Sequence, residues 1–274
     1  MKNPIRLLPW ALLAASASPQ AREPIAPVDR AYVSLGVYRS ANGLSGRWDA
    51  ADGTVGTRFD FQGDLGFDER ERALYWNAGG SFGEGRRHKL EVFGYDYDDT
   101  SARRIDRSLR IRDDAYPVDA SLAGALDIGV IGASYTWFFR RGERHALGLG
   151  LGAVNYDLTV SLAADYEVNG QPRSSFQRFR EQAWAPMLHG EYVRSLSPNW
   201  RWGLAASYVK KPGGEIAGEA IDAQARLEWF PWGHAGFSLR YNYNDVRLDF
   251  RRSRYDGDVD LETRGLQLAM MLRF

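Results

Sequence analysis

The sequence predicts an all-β chain, an antiparallel β-barrel that crosses a membrane with its strands. About ten strands are expected, with eight or twelve as neighbouring solutions. Three observations predict it. Apolar and polar side chains alternate with period two in segment after segment, as they must when a strand has one oily face and one wet face. Short and long connections alternate along the chain, which is the pattern of transmembrane barrels. No stretch beyond the N-terminus approaches the roughly 18 apolar residues of a spanning helix.

The N-terminus reads as a secretory leader. Lys2 and Arg6 form a basic start, Leu7 to Ala15 an apolar core, and Ala15-Ser16-Ala17 the small residues of a cleavage site. Residues 1–21 are therefore expected to be a signal peptide, cut after Ala17 or Ala21. Residues 22–274 form one barrel domain.

Composition narrows the function classes. Among 274 residues, 35 Lys and Arg balance 35 Asp and Glu, so no general electrostatic case exists for nucleic acid. The chain has no Cys, which removes disulfides, thiolate metal sites and Cys nucleophiles together. No cofactor or metal site is expected.

Ten strands are expected at about 31–40, 72–82, 88–98, 125–140, 145–160, 182–196, 199–210, 216–230, 234–250 and 259–274. The clearest is Ile221 to Phe230. Ile221, Ala223, Ala225, Leu227 and Trp229 share one face; Asp222, Gln224, Arg226 and Glu228 share the other. The third strand is the weakest, since Phe93 and Tyr95 fall out of phase with Leu90 and Val92. A break in phase near Asn155 suggests a bulge.

Four connections are very short: 83–87, 140–143, 197–199 and 231–233. Longer ones lie near 41–71, 99–121, 161–181 and 251–258, with a compact turn at 211–215. The segments 56–62 and 103–112 could add a hairpin outside the membrane. Starting the first strand from the periplasm puts all four short turns there, as outer-membrane barrels require. Trp137, Trp200, Trp202, Trp229 and Trp232 cluster beside those turns and would form an aromatic girdle at the periplasmic interface. A soluble barrel of the lipocalin kind would alternate too, with its apolar face inward. The leader, the aromatic rows at one end and the aromatic last strand favour lipid contact.

Leu266, Leu268, Met270, Leu272 and Phe274 resemble the C-terminal signature that outer-membrane barrels present to their insertion machinery. The segment from Gly56 to Asp68 is similar to one that precedes the second strand in a group of proteobacterial outer-membrane barrel proteins of uncharacterised role. These resemblances imply a Gram-negative outer-membrane location, the barrel-assembly machinery and periplasmic chaperones as partners during biogenesis, and no particular activity.

The inward rows place His189, Glu191, Arg201, Asp222, Gln224, Arg226, Glu228 and Arg240 in the lumen. Mixed signs there argue for cross-strand ion pairs. Ten strands lie near the size that side chains fill, so a largely occluded lumen is expected. Arg103, Arg104, Arg107, Arg251 and Arg252 crowd two outer loops, where lipopolysaccharide phosphates would suit them. The outer rim carries Asp clusters but no His to act as a base beside a nucleophile, so no enzyme is expected. The reading that follows is a structural or surface-interaction protein of the outer membrane. A narrow porin for small solutes is the alternative, and a lipid- or peptide-hydrolysing enzyme is third.

Overall fold

The computed structural model describes residues 24–50, 52–68, 70–252 and 255–274. The expected leader and the side chain of Arg252 lie outside what is described. The chain is all-β. In order it forms β1 (Ala31–Trp48), β2 (Phe59–Asp60), β3 (Arg70–Phe82), β4 (His88–Arg104), β5 (Leu109–Ile111), β6 (Asp114–Tyr116), β7 (Ser121–Arg141), β8 (His145–Val168), β9 (Gln171–Ser195), β10 (Trp200–Lys211), β11 (Ile216–Trp229), β12 (Ala235–Arg252) and β13 (Tyr255–Arg273). No helix among the described residues is long and apolar enough to cross a membrane.

Ten of these strands close a ring in which each neighbour is antiparallel. The order is β1-β3-β4-β7-β8-β9-β10-β11-β12-β13, and β13 pairs back onto β1. Each of the ten expected segments forms one of these strands. The ring climbs as it closes. Following paired residues from Tyr32 through Gly79, Glu91, Ser134, Gly152, Met187, Val209, Ala220, Val246 and Leu261 returns to β1 at Leu44, twelve residues above the start. Ten strands with that stagger tilt by about 40° and enclose a radius of about 10 Å. Each residue then rises by about 2.5 Å along the barrel axis, so β8 and β9 stand roughly 60 Å tall. That is more than twice the height of an outer-membrane apolar band, about 25 Å.

The extra height comes from segments expected to be loops. Residues 161–181 continue β8 and β9 as one hairpin, closed by Asn169 and Gly170, both at positive φ (52° and 74°). Two consecutive left-handed residues match the twist of a tight hairpin, and Asn-Gly adopts them at little cost. Residues 251–258 are likewise mostly hairpin, pairing Arg252 with Tyr255. The four connections expected to be very short all lie at the other end, with Ala31 and Phe274.

Side-chain polarity inverts part-way up the wall. Near the short turns the exterior is apolar: Val33, Leu35, Val37, Leu149, Leu151, Leu188, Leu266, Leu268 and Met270 are all exposed. Higher on the same strands the outward residues are Asp157, Arg180, Arg247 and Asp258, joined in ion pairs, while Leu122, Leu126, Leu162, Phe179 and Phe250 turn inward and are buried. This inversion corrects the expected bulge near Asn155. β8 keeps its register from Ala153 to Ser161; what changes is the polarity of each face. The register shift lies instead between Trp137 and Arg140. Phe93 and Tyr95 have the same explanation: both face inward on β4, where the lumen turns apolar, while Leu90 and Val92 face outward.

The hairpin expected outside the membrane from 56–62 and 103–112 does not project from the barrel. β5 and β6 do pair, but Leu109, Ile111 and Tyr116 are buried among Phe59, Phe61, Leu65 and Phe67 inside the upper barrel. β2 adds to β1 through Ser45 and Gly46. These seven aromatic or branched side chains would face water if the segments projected, so the hydrophobic effect folds them in as a plug.

Candidate functional site in the barrel interior

Below the plug the inner rows of the strands carry charge, as the alternation at Ile221 to Phe230 requires. Opposed strands bring these charges within reach of one another. Glu191 on β9 accepts from Lys89 on β4 and from Arg226 on β11. Arg226 also pairs with Glu228 at 3.3 Å, and Glu228 accepts from Arg201 on β10 at 2.5 Å. Arg201 donates to Asp29 at 2.6 Å, and Asp29 is held from its other side by Arg273 at 3.2 Å. Lys89 pairs with Glu91 at 3.2 Å, and Tyr32 donates to that carboxylate. The result is one continuous ionic layer across the lumen. Glu191, Arg201 and Glu228 are each no more than 3 % exposed. Charges this buried are tolerable only when every one is paired, and these are.

Two aromatic faces support the layer. Arg201 and Arg273 lie over the Phe230 ring at 5.3 and 4.6 Å, and Arg240 lies over Tyr75 at 5.3 Å while donating to its hydroxyl at 2.8 Å. The stretch before β1 closes the base. Arg201 donates to the carbonyls of Ala26 and Pro27 at 3.1 and 3.4 Å, and Ile25 packs on Tyr32, Phe230 and Met271. Met271, an inward apolar residue of the last strand, belongs to this contact.

Between the ionic layer and the plug lies a cavity of about 110 Å³. Tyr38, Phe93, Tyr95 and Tyr156 line it with His189, Asp222, Gln224 and Asn242. His189 shares a hydrogen bond with Ser207 at 3.1 Å and stands 4.0 Å from Glu191. Of the eight expected lumen residues, Glu191, Arg201, Arg226 and Glu228 form the layer, Arg240 flanks it, and His189, Asp222 and Gln224 face the cavity. Lys89, Asp29, Tyr32 and Arg273 were missed. Lys89 alternates with Glu91 and could have been found; Asp29 precedes any strand, and nothing in its spacing signals a partner on β10.

The expected girdle residues are together on the exterior of the short-turn end. Trp200 and Trp229 stack at 5.8 Å, Trp229 stacks on Phe237 at 6.2 Å, Trp232 reaches Phe237 at 5.9 Å, Trp202 meets Tyr192 edge-on, and Trp137 sits beside Phe139. Leu266, Leu268, Met270, Leu272 and Phe274 form one exposed row beside them.

The loop arginines do not form one cluster, although Arg103 and Arg107 meet the same 62–64 turn. Arg103 donates to the carbonyls of Gln62 and Gly63 at the plug, and Arg107 makes a two-pronged contact with Asp64. That contact, led by the hydrogen bond from Arg107, holds the Asp64 carboxyl below its usual range. Burial pushes the Tyr116 hydroxyl of the plug up to about 12. Arg104 and Arg251 are exposed elsewhere on the rim. Asp258 and Asp260 pair with Arg58, and Asp258 with Arg47. No group of metal-ligating side chains occurs among the described residues. His88, His145 and His234 follow the short turns.

No protein-family model matches the chain, and no curated protein does. Solved structures similar in fold include the outer-membrane protease OmpT from Escherichia coli, at 10% identity and a TM-score of 0.47, covering 89% of this chain and 97% of that one. The P. putida toluene transporter TodX matches at 8% identity and a TM-score of 0.41, with 90% of each chain covered. Ail, the attachment invasion locus protein of Yersinia pestis, matches at 12% identity and a TM-score of 0.32, covering 89% of this chain and 99% of that one. The likeness extends to the fold and no further.

Proposed function

We propose that this chain is an outer-membrane barrel of a Gram-negative cell that conducts nothing, and whose role is exerted by its surfaces. The exterior band supports the location. Over a stretch of about ten residues per strand the alternate, outward side chains are mainly apolar, and at roughly 2.5 Å of rise per residue such a stretch covers about 25 Å, the height of an outer-membrane hydrocarbon band. In water that collar would be a very large exposed apolar patch.

The observation that carries the closed-lumen reading is the double seal. The ionic layer crosses the lumen near the short turns, and the apolar plug fills it above. A solute would have to break buried ion pairs and displace a packed core. The tall, paired wall beyond the band suits contact with other molecules, as an adhesive or structural surface. An enzymatic role gains no support, since the rim carboxylates near β13 are engaged by Arg47 and Arg58 and no described His joins them. Single-channel recording of purified protein in planar bilayers is the test. We expect no stable conductance above the bare membrane; large, long-lived openings would favour the narrow porin instead.

A further inference from the structure

We propose that Arg39, Arg72 and Arg264 form a site on the barrel exterior for the phosphate of an outer-leaflet lipid headgroup. The inference rests on the membrane reading above and adds a ligand to it.

The placement follows from register. Arg39 on β1 pairs directly with Arg72 on β3. Arg264 on β13 lies opposite Ala41, one outward position above Arg39. All three side chains are exposed on the outer face. Two residues below each one stands an exposed apolar side chain: Val37, Leu74 and Leu266. The stagger of the ring brings the three arginines to the same height, within about 3 Å, at the upper border of the apolar band. Phosphates of an outer-leaflet lipid lie at that border.

The electrostatics call for an anion. Like charges directly opposite on neighbouring strands repel. Elsewhere on the outer wall four arginines are neutralised: Arg47 with Asp258 at 3.0 Å, Arg180 with Asp157 at 2.8 Å, Arg247 with Asp245 at 3.2 Å, and Arg58 with Asp260 at 2.9 Å. The side chains of Arg39, Arg72 and Arg264 make no ion pair or hydrogen bond among the described residues. Three guanidinium groups within one pair of strand spacings can grip phosphate oxygens in the two-pronged manner that suits them. Outer-loop Arg103 and Arg107 stand roughly 20 Å higher, by the same rise per residue, and are already occupied.

The test uses the full chain in detergent micelles with bisphosphorylated lipid A, the same lipid with its phosphates removed, and inorganic phosphate. Binding is read by native mass spectrometry and by the shift in unfolding temperature. We expect the phosphorylated lipid to bind and stabilise the protein, the dephosphorylated lipid to bind at least roughly tenfold more weakly, and the R39Q/R72Q/R264Q variant to lose the distinction. An R103Q/R107Q variant should keep it. Equal binding of both lipids, or an unchanged preference in the triple variant, would overturn the site; inorganic phosphate alone reproducing the full shift would overturn the lipid as its ligand. Membrane fractionation of wild-type protein separates the two readings. If the protein never enters the membrane, the location is wrong; if it enters and ignores phosphate, only this site is wrong.

Discussion

Replacing Arg201 by Met would break the ionic layer at its most connected cation. The guanidinium holds Asp29 at 2.6 Å and Glu228 at 2.5 Å, and it donates to two carbonyls of the segment before β1. Removing one partner of a buried pair typically costs about 3–5 kcal/mol, because the other charge stays buried without compensation. Here both carboxylates keep a second cation: Arg273 stays 3.2 Å from Asp29, and Arg226 stays 3.3 Å from Glu228. The loss should therefore fall near the lower end, about 3 kcal/mol. Met fills most of the volume against Phe230, so cavity formation adds little. The assay is reversible urea unfolding into lipid vesicles, followed by Trp fluorescence. Hydrogen exchange at Ile25 to Asp29 should speed up in the same variant, because two of that segment's carbonyls lose their donor. A change below about 1 kcal/mol, the range of an exposed pair, would refute the claim that these charges are buried and coupled.

Further outcomes follow from other parts of the interior. Phe61→Ala in the plug should cost about 3–5 kcal/mol of the outer half's stability, read as faster proteolysis of residues 49–68, while the heat-modifiable gel shift of the membrane half persists. Asp64 contributes stability at neutral pH. Its folded carboxyl is held low by Arg107, so the contribution is full above the ordinary Asp range near 4 and is lost as pH falls through the lowered value. Exchange protection of the 59–67 backbone should fall across that acidic window, and R107Q should abolish the dependence. Trp232→Ala and Trp229→Ala should weaken quenching of the remaining Trp fluorescence by lipids brominated near the headgroup, measured in vesicles; unchanged quenching would remove these rings from the interface.

The strands of the lower barrel were legible because lipid outside and charge inside give a period-two pattern over ten residues. Leu227 and Arg226 belong to it, and both lie where alternation places them. The upper barrel was not legible for the opposite reason. There the wall is polar outside and its lumen apolar, so the pattern continues with its sense reversed. Asn155 and Phe93 fall at the crossover, where a reversal of sense looks like a loss of phase. Residues 161–181 then read as loop, since Arg173, Ser174, Ser175 and Arg178 look solvated; Ser174 and Arg178 are solvated, on the outer face of a strand, while Ser175 faces inward and meets Tyr116 of the plug. The plug was missed because its aromatic residues sit in short, irregular runs with no period. In the candidate site, Glu191, Arg226 and Glu228 could be read from single strands. Which of them touches which depends on the twelve-residue stagger, and no local pattern encodes that.

The central claim is that the wall of this barrel changes solvent part-way up. Spin labels placed singly at Leu149, Leu151, Asp157 and Ser161 along the outer face of β8, in vesicle-reconstituted protein, test it most directly. The first two should be relaxed by dissolved oxygen and shielded from an aqueous nickel chelate, and the last two should respond in the opposite sense. Chelate access at Leu149, or a lipid-like response at Ser161, would contradict the account.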